Sequence, residues 1–191
     1  IVVSIIAGFG TAQIAANGVA NSLDSMGCIV GQGMNLAMIT VIGQCVGAGD
    51  LAQVRYYTKK LLLITYAATA VVNSLILLFL HPILGFYGLG EEATGLAYTL
   101  VMIHDGMAML LWPASFVLPN MLRACNDVKF TMATAIFSMV TFRIGLSIVF
   151  GVQMGMGAVG VWVAMVADWI FRVCCFVVRY FRGTWRKHCG L

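Results

Sequence analysis

The sequence predicts an all-α membrane protein, and three observations carry that prediction. Hydrophobic residues make up 61% of the 191 residues and charged residues 9%, whereas a soluble globular domain carries about 25% charged residues. The apolar residues form runs of about 20 or more, the length that an α-helix needs to cross a bilayer. None of these runs shows the alternation of apolar and polar residues that membrane β-barrel strands require.

Six membrane-spanning helices are predicted, joined by short connections. Their expected ranges are 1–22, 26–48, 60–84, 94–121, 130–152 and 157–180. The chain begins with Ile1 and lacks the charged segment and the cleavage site of a signal peptide. We therefore expect the first span to be cut near its start and the chain to be part of something longer.

Charged residues in the connections predict which ends of the helices face the cytoplasm. Basic residues cluster in the segments 49–60 and 122–129 and in the tail from Arg179, whereas the other connections contain Asp24, the acidic segment 91–92, or no charge. Because Lys and Arg are retained on the cytoplasmic side of the membrane, the basic segments, the start of the chain and the C-terminus are predicted to be cytoplasmic in a plasma (inner) membrane protein. Basic residues at helix ends disfavour nucleic-acid binding.

Five amide side chains in the first two predicted spans indicate a polar surface inside the bundle. Three of them recur every four residues and share one helix face, and the other two lie one turn apart. Such amides either hold helices together by hydrogen bonds or line a translocation cavity. A promiscuous site would add aromatic and methionine side chains. The predicted cavity residues are Gln13, Asn17, Asn21, Gln32, Asn35, Met109 and Trp112.

Four charged residues lie within the predicted spans and away from their ends. Asp105, Arg143 and Asp168 lie roughly 14–17 Å from the outer ends of their spans, at about 1.5 Å per residue, close to the midplane of a core about 30 Å thick. Because charge at this depth is costly, we predict a structural cluster of Arg143, Asp168 and Arg172. Asp105 has no obvious cationic partner. With its neighbour His104 it is the candidate site for H⁺ or Na⁺, unless it faces the outer vestibule.

Two prolines interrupt the predicted fourth span. Pro113 and Pro119 each remove a backbone hydrogen bond from a helix, so we expect a bent or loosened segment around 115–118. Such a segment is either a static kink or a hinge for alternating access, with freed carbonyls available to a cation.

A glycine-rich motif ends the second predicted span. Its glycines allow a sharp turn, after which Asp50 is expected to cap the next helix or to pair with Arg55. The segment Arg123–Asp127 resembles a second loop of this kind. The motif residues are Gly43, Gln44, Gly47, Gly49 and Asp50.

The sequence gives no sign of a metal site or of an enzyme. Its six cysteines form no CxxC pair and have no histidine at zinc-ligand spacing. It contains no nucleophile–base arrangement and no HExxH-like motif. We therefore expect no metal, no organic cofactor and no enzymatic activity.

Four motifs together resemble the MATE-type (multidrug and toxic compound extrusion) transporters. They are AANGVANSL at 15–23, GQCVGAGD at 43–50, VLPNMLRACNDVKFTM at 117–132, and ADWIFR with a further Arg at 179. The resemblance extends over essentially the whole chain. It implies that residues 1–191 form the second, C-terminal six-helix lobe of a two-lobe transporter, with an N-terminal lobe as partner.

The resemblance also implies a function. The family exports organic cations and drugs against an H⁺ or Na⁺ gradient. Cation sites in the second lobe of some members use a carboxylate in the first helix and another in the kinked fourth helix. In this sequence the first position lies upstream of Ile1 or is absent, and the second falls near Trp112, which is not acidic. That site does not transfer, and Asp105 is the expected substitute.

The expected function is secondary active efflux of amphipathic organic cations in exchange for H⁺ or Na⁺. One alternative is a lipid-linked oligosaccharide flippase of the same superfamily, whose pyrophosphate substrates require a cavity rich in Arg and Lys. The buried cations of this sequence are predicted to pair with Asp168, which disfavours that alternative. The other alternative is an inactive, truncated half-transporter.

Overall fold

The computed structural model describes residues 2–189, and this part of the chain is built from helices with no β-strand. The α-helices are α1 Val2–Ala7, α2 Thr11–Gly47, α3 Leu51–Leu78, α4 Leu80–Phe86, α5 Glu91–Trp112, α6 Leu118–Ala124, α7 Val128–Ser138 and α8 Gly157–Arg182. A π-helical segment, Pro113–Val117, joins α5 to α6, and another, Met139–Gln153, continues α7. A short 3₁₀-helix, Thr184–His188, follows α8.

The all-α membrane fold predicted from the sequence is confirmed. Within the described residues, five helical segments are long and apolar enough to cross a membrane. Much of their outer surface is apolar, with largely exposed residues such as Leu36, Leu63 and Leu110, as contact with lipid requires. The five segments are Thr11–Gly47, Leu51–Leu78, Glu91–Ala124, Val128–Gln153 and Gly157–Arg182.

The predicted division between the first two spans, 1–22 and 26–48, is wrong. A single helix, α2, runs from Thr11 to Gly47 without a break. Asp24, which we assigned to a connecting loop, lies in the middle of α2, where its carboxylate contacts the imidazole of His104 on α5. A carboxylate with such a partner is tolerated inside a helix bundle, so the polar position did not require a loop.

Because α2 is a single helix, the chain crosses the bundle one time fewer before the loop 48–50 than the sequence predicts. Gln13, near the start of α2, contacts the backbone of Ala158 at the start of α8. The other end of α2 meets the loop 48–50. The start of α2 and the loop 48–50 therefore lie at opposite ends of the bundle, and α1, with six residues, is too short to cross a bilayer.

The loops 48–50 and 125–127 have the same backbone geometry. Gly49 and Asn126 adopt left-handed φ angles of 73° and 62°. In each loop the following aspartate donates its backbone N–H to a carbonyl five residues earlier, at 3.1 Å for Asp50 and 2.9 Å for Asp127. These bonds satisfy carbonyls at the helix end. We call the end of the bundle that holds both loops the basic end.

The two aspartates of these loops then act differently. The carboxylate of Asp50 accepts hydrogen bonds from the backbone N–H groups of Ala52 and Gln53, both at 3.0 Å, and so caps α3. Of the two roles expected for Asp50, the structure therefore shows the cap. Asp127 stands at the N-cap of α7, but its carboxylate makes no capping hydrogen bond there and instead accepts two hydrogen bonds from Arg179 on α8.

Small residues of α2 bring its neighbours close. A Cβ at Gly27 would lie 2.2 Å from the side chain of Asn73 on α3, and a Cβ at Gly31 would lie 2.0 Å from the ring of Trp112. This spacing of small residues allows helices to approach each other in a membrane. It brings α2 against α3 and α5, and so positions the polar face of α2.

The segment between Pro113 and Pro119 is loosened, as expected. It forms one turn of π-helix, Pro113–Val117, a form that occurs mostly as a single turn inside α-helices and frequently at functional sites. The Ser115 hydroxyl donates a 3.1 Å hydrogen bond to the backbone carbonyl of Trp169 on α8. The altered turn is thus tied to the neighbouring helix and faces protein rather than lipid.

Candidate functional site

A groove with polar residues follows one side of the bundle between α2, α5 and α8. Its centre is a cleft of about 340 Å³, open on one side, that we call the central cleft. Arg143 and Met165 also line a neighbouring cavity of about 140 Å³, and Asn35 and Phe116 also line one of about 260 Å³ toward the basic end. The walls of the central cleft include Asp24, Gln32, Asn35, His104, Trp112 and Arg143.

His104 lies between two carboxylates at the wall of the central cleft. Its Nε2 is 2.9 Å from Oδ1 of Asp24 on α2, and its Nδ1 is 3.0 Å from Oδ1 of Asp105 on α5. The side chains of His104 and Asp105 are 2% and 1% exposed, whereas that of Asp24 is 25% exposed. We call these three residues the His104 triad. It joins two helices and has one carboxylate open to the cleft.

Aromatic rings and a thiol complete the surroundings of the His104 triad. The imidazole lies edge-on to the indoles of Trp162 and Trp169 on α8, with ring centroids 5.2 and 4.8 Å away. The Cys28 thiol donates to Asp24 Oδ1 at 3.3 Å. Oδ2 of Asp105 is buried and has no hydrogen-bond partner among residues 2–189. A buried carboxylate with unused acceptor capacity is costly in such surroundings.

The three side chains do not form a ready metal site, although one donor atom from each lies within 4.8 Å of the others. Each carboxylate takes a different nitrogen of the same imidazole. An imidazole offers a metal ion one nitrogen while the other holds an outer partner. Placing both carboxylates on one ion with that nitrogen would break one of the two contacts.

The predicted cavity amides separate into two groups. Gln32 and Asn35 line the central cleft, and Oδ1 of Asn35 accepts a 2.9 Å hydrogen bond from Asn120 of α6. Asn17 and Asn21 line the neighbouring cavity of about 140 Å³. The Oδ1 atom of Asn17 also accepts a 3.0 Å hydrogen bond from the Trp162 indole. Both interpretations of the amides, helix contact and cavity wall, therefore apply to Asn17 and Asn35.

Two predicted cavity residues lie away from the central cleft. Oε1 of Gln13 accepts a 2.7 Å hydrogen bond from the backbone N–H of Ala158, so this side chain caps the start of α8. The Met109 sulfur accepts a hydrogen bond from Ser74 of α3 at 3.7 Å. Both residues share helices with cleft residues, but their contacts are made to other neighbours.

Two of the three residues predicted to form a charge cluster are in contact. Arg172 Nε lies 3.1 Å from Asp168 Oδ1, one helical turn away on α8. The Ser138 hydroxyl of α7 donates to the same carboxylate. Arg143 instead contacts the Met165 sulfur at 3.3 Å and lines the central cleft. The depth predicted for Arg143 assumed an α-helix. Met139–Gln153 is π-helical, and its wider turns change where each side chain points, so Arg143 does not meet Asp168.

Sequence reasoning missed Asp24 as part of the site. Asp24 interrupts an apolar stretch, a pattern that predicts a loop. Asp24 is, however, the one charged residue between Thr11 and Gly47, and 37 residues without another charge are compatible with one long helix. That signal could have placed Asp24 inside the bundle, where an ionisable residue indicates function.

Comparison with known proteins identifies the family of this chain. A protein-family model described as MatE matches residues 1–149. The chain belongs to the MatE family. The match covers most of the chain and includes α2, α5 and the whole His104 triad.

Several curated relatives are similar over most of this chain. Protein DETOXIFICATION 30 of Arabidopsis thaliana is 30% identical over 182 residues, which cover 91% of this chain and 34% of that protein. The probable multidrug resistance protein NorM of Rhizobium meliloti is 26% identical over 91% of this chain and 38% of its own length. The uncharacterized transporter YisQ of Bacillus subtilis is 25% identical over 75% of this chain and 31% of its own length. No solved structure matches the chain.

These coverages have a structural consequence. The chain spans between 31% and 38% of the length of these three relatives. It is similar to less than half of each, and it holds five segments able to cross a membrane within residues 2–189. The central cleft is lined by residues of this part alone.

Proposed function

We propose that the chain forms the C-terminal lobe of a secondary active exporter, which moves amphipathic organic cations out of the cell in exchange for H⁺ or Na⁺. The observation that carries this proposal is the central cleft, where aromatic rings and a part-exposed carboxylate, Asp24, share one mid-bundle space. Family membership and the multidrug resistance proteins among the relatives support the same function.

The chemistry of the cleft favours a cationic, partly apolar substrate. Trp112, Phe116 and Trp169 line it, and aromatic faces attract organic cations more strongly once water is excluded. Trp112 stacks on Phe116 with ring centroids 5.1 Å apart, which gives a flat apolar wall. Asp24 on another wall would balance the positive charge. Gln32 and Asn35 would provide hydrogen bonds to varied polar groups.

We further propose that the open side of the central cleft faces an N-terminal lobe. A polar groove open to lipid would leave Asp24 and Arg143 in contact with hydrocarbon, at a cost of several kcal/mol each. Rocking of the two lobes would expose the cleft to each side of the membrane in turn. The basic end would face the cytoplasm, since it holds Arg123, Arg182 and Lys187.

A flippase for lipid-linked oligosaccharides fits the cleft less well. Its pyrophosphate substrate requires several converging cations. Among the described residues that line the central cleft, Arg143 is the one basic side chain besides His104, and Asp24 and Asp105 offset their charge.

Efflux of a fluorescent organic cation from proteoliposomes tests the proposal. The protein, expressed from its native gene, would be assayed with an imposed H⁺ gradient, an imposed Na⁺ gradient or neither. We expect gradient-driven efflux in the wild type and its loss in Asp105→Asn. Glu92→Gln is the matched control, because Glu92 is an exposed acid on the same helix.

Two results would contradict the proposal. One is the absence of gradient-driven transport in correctly inserted wild-type protein, which would support the inactive half-transporter. The other is transport of a pyrophosphate-linked lipid with no transport of the cation, which would support the flippase. Unchanged coupling in Asp105→Asn would remove the role of Asp105 alone.

A further inference from the structure

We propose that protonation of the His104 triad closes a hydrogen-bonded contact between α2 and α5, and that H⁺ rather than Na⁺ is the ion it carries. We call this contact the two-proton latch, because it needs two protons to form. This inference rests on the proposed exporter function and names its coupling ion and the bond that the ion controls. The evidence is the placement of one imidazole between Asp24 and Asp105, which lie on different helices.

The number of protons follows from the hydrogen-bond geometry. A neutral imidazole has one N–H donor and one bare nitrogen, whereas an imidazolium has two donors. Nε2 and Nδ1 of His104 lie 2.9 and 3.0 Å from carboxylate oxygens of Asp24 and Asp105. With both carboxylates ionised and a neutral ring, one contact would place a lone pair against a carboxylate. Both contacts are hydrogen bonds only when the three side chains share at least two protons.

We assign both protons to the ring, which makes His104 an imidazolium between two carboxylates. That arrangement places a positive charge within 3.0 Å of each carboxylate oxygen it contacts and forms two charge-assisted hydrogen bonds. The other titratable groups that face it are Cys28, which donates to Asp24, and Arg143, which lines the same cleft. Within residues 2–189, α8 presents to the ring the indoles Trp162 and Trp169.

Loss of one proton opens one of the two bonds. A neutral ring has a single N–H to serve two carboxylates. Asp105 is adjacent to His104 in α5 and almost fully buried, whereas Asp24 belongs to α2 and borders the cleft. The bond that opens is therefore the one between helices. The freed carboxylate of Asp24 then faces the cleft, where a cationic substrate can replace the lost positive charge.

A hard cation such as Na⁺ does not fit the same arrangement. Hard cations take several oxygen ligands that converge on one point. In the triad, Oδ1 of Asp24 and Oδ1 of Asp105 each contact a different ring nitrogen of His104. Binding Na⁺ between them would require the imidazole to leave, so sodium would compete with the latch rather than close it.

Intrinsic fluorescence tests the latch without any transport. A protonated imidazole quenches a neighbouring indole, and His104 lies 4.8 Å from Trp169 and 5.2 Å from Trp162. We expect the fluorescence of the purified protein in detergent to rise when pH is raised. The rise should be absent in His104→Gln and reduced in Trp169→Phe, which keeps the triad intact. His81→Gln is the matched control, because His81 is an exposed histidine that contacts Tyr98.

The outcomes separate the latch from the exporter function. A pH response that is the same in wild type and His104→Gln overturns the latch, as does a titration that shifts when choline is replaced by Na⁺ at constant ionic strength. If His104→Gln does not fold, two measurements still test the latch: the reduced response of Trp169→Phe, and the titration in which choline is replaced by Na⁺. Cation efflux with no dependence on the H⁺ gradient would overturn the latch and leave the exporter. A His104-dependent response without any efflux would support the latch and overturn the exporter.

Discussion

Gly31 of α2 lies directly against the indole of Trp112 on α5, so that a Cβ at position 31 would fall 2.0 Å from the ring. The indole cannot easily move, because it stacks on Phe116 and is 6% exposed. This contact sets the distance between the two helices that carry the His104 triad.

Substitution of Gly31 by alanine should therefore destabilise the bundle. Overpacking of a well-packed core costs about 1–3 kcal/mol, and we expect the free energy of unfolding in detergent micelles to fall by about that amount. Gly33→Ala is the matched control, since a Cβ at Gly33 meets no atom within 4 Å. An equal loss in both variants would contradict the packing argument.

The ion pair between Asp127 and Arg179 should hold the basic end together. Nε and a terminal nitrogen of Arg179 donate to the Asp127 carboxylate at 2.7 and 3.0 Å, and Asp127 is 3% exposed. Hydrogen bonds to charged groups contribute about 1.5–3 kcal/mol. We expect Arg179→Gln to lower the free energy of unfolding by about 1–3 kcal/mol in thermal or denaturant unfolding. Arg182→Gln, at an exposed neighbour, should have little effect.

The pair formed by Asp168 and Arg172 should show strong coupling. Asp168 is fully buried and the Arg172 side chain is 12% exposed. Removal of one partner from a buried pair leaves an uncompensated charge and costs about 3–5 kcal/mol. We expect Arg172→Leu to be strongly destabilised and Arg172→Leu with Asp168→Asn to recover part of the loss. Additive effects in this double-mutant cycle would show that the two side chains act independently.

The sequence predicted the helices better than it predicted their contacts. Apolar runs and basic segments are one-dimensional signals, and they located the end of α2, the start of α5 and both ends of α8 to within a few residues. The predicted start of the third span, 60, lies well inside α3, which begins at Leu51. Asp24 was misplaced because a polar residue in an apolar run indicates a loop only when it lacks a partner. That partner, His104, is 80 positions away in the sequence, and local patterns do not report such distances.

The candidate site was predictable only in the part that local sequence signals report. Mid-membrane charge singled out Asp105 and its neighbour His104, because cost alone makes such residues unusual. The missed part of the site depends on helix rotation. Gln13 contacts the start of α8, and Met109 contacts α3. Arg143 lines the cleft and contacts Met165 rather than Asp168. Rotation is set by packing, as at Gly31, which a single sequence does not reveal.

The π-helical turn that begins at Pro113 should matter for transport rate if the protein is an exporter. The turn lies between the cleft residue Trp112 and α6, and Ser115 ties it to α8. Alanine at position 113 restores a backbone N–H, which favours an ordinary α-helical turn. We expect Pro113→Ala to lower the maximal efflux rate several-fold and to leave substrate affinity nearly unchanged.

Pro82→Ala is the control for this prediction, because Pro82 lies in α4, away from the central cleft. Maximal rate and affinity would be measured separately, the first by cation efflux from proteoliposomes and the second by equilibrium binding in detergent. A rate unchanged in Pro113→Ala would show a static kink. A loss of affinity equal to the loss of rate would place the turn in substrate binding. A loss confined to the rate would identify the turn as the hinge that moves while the cleft changes sides.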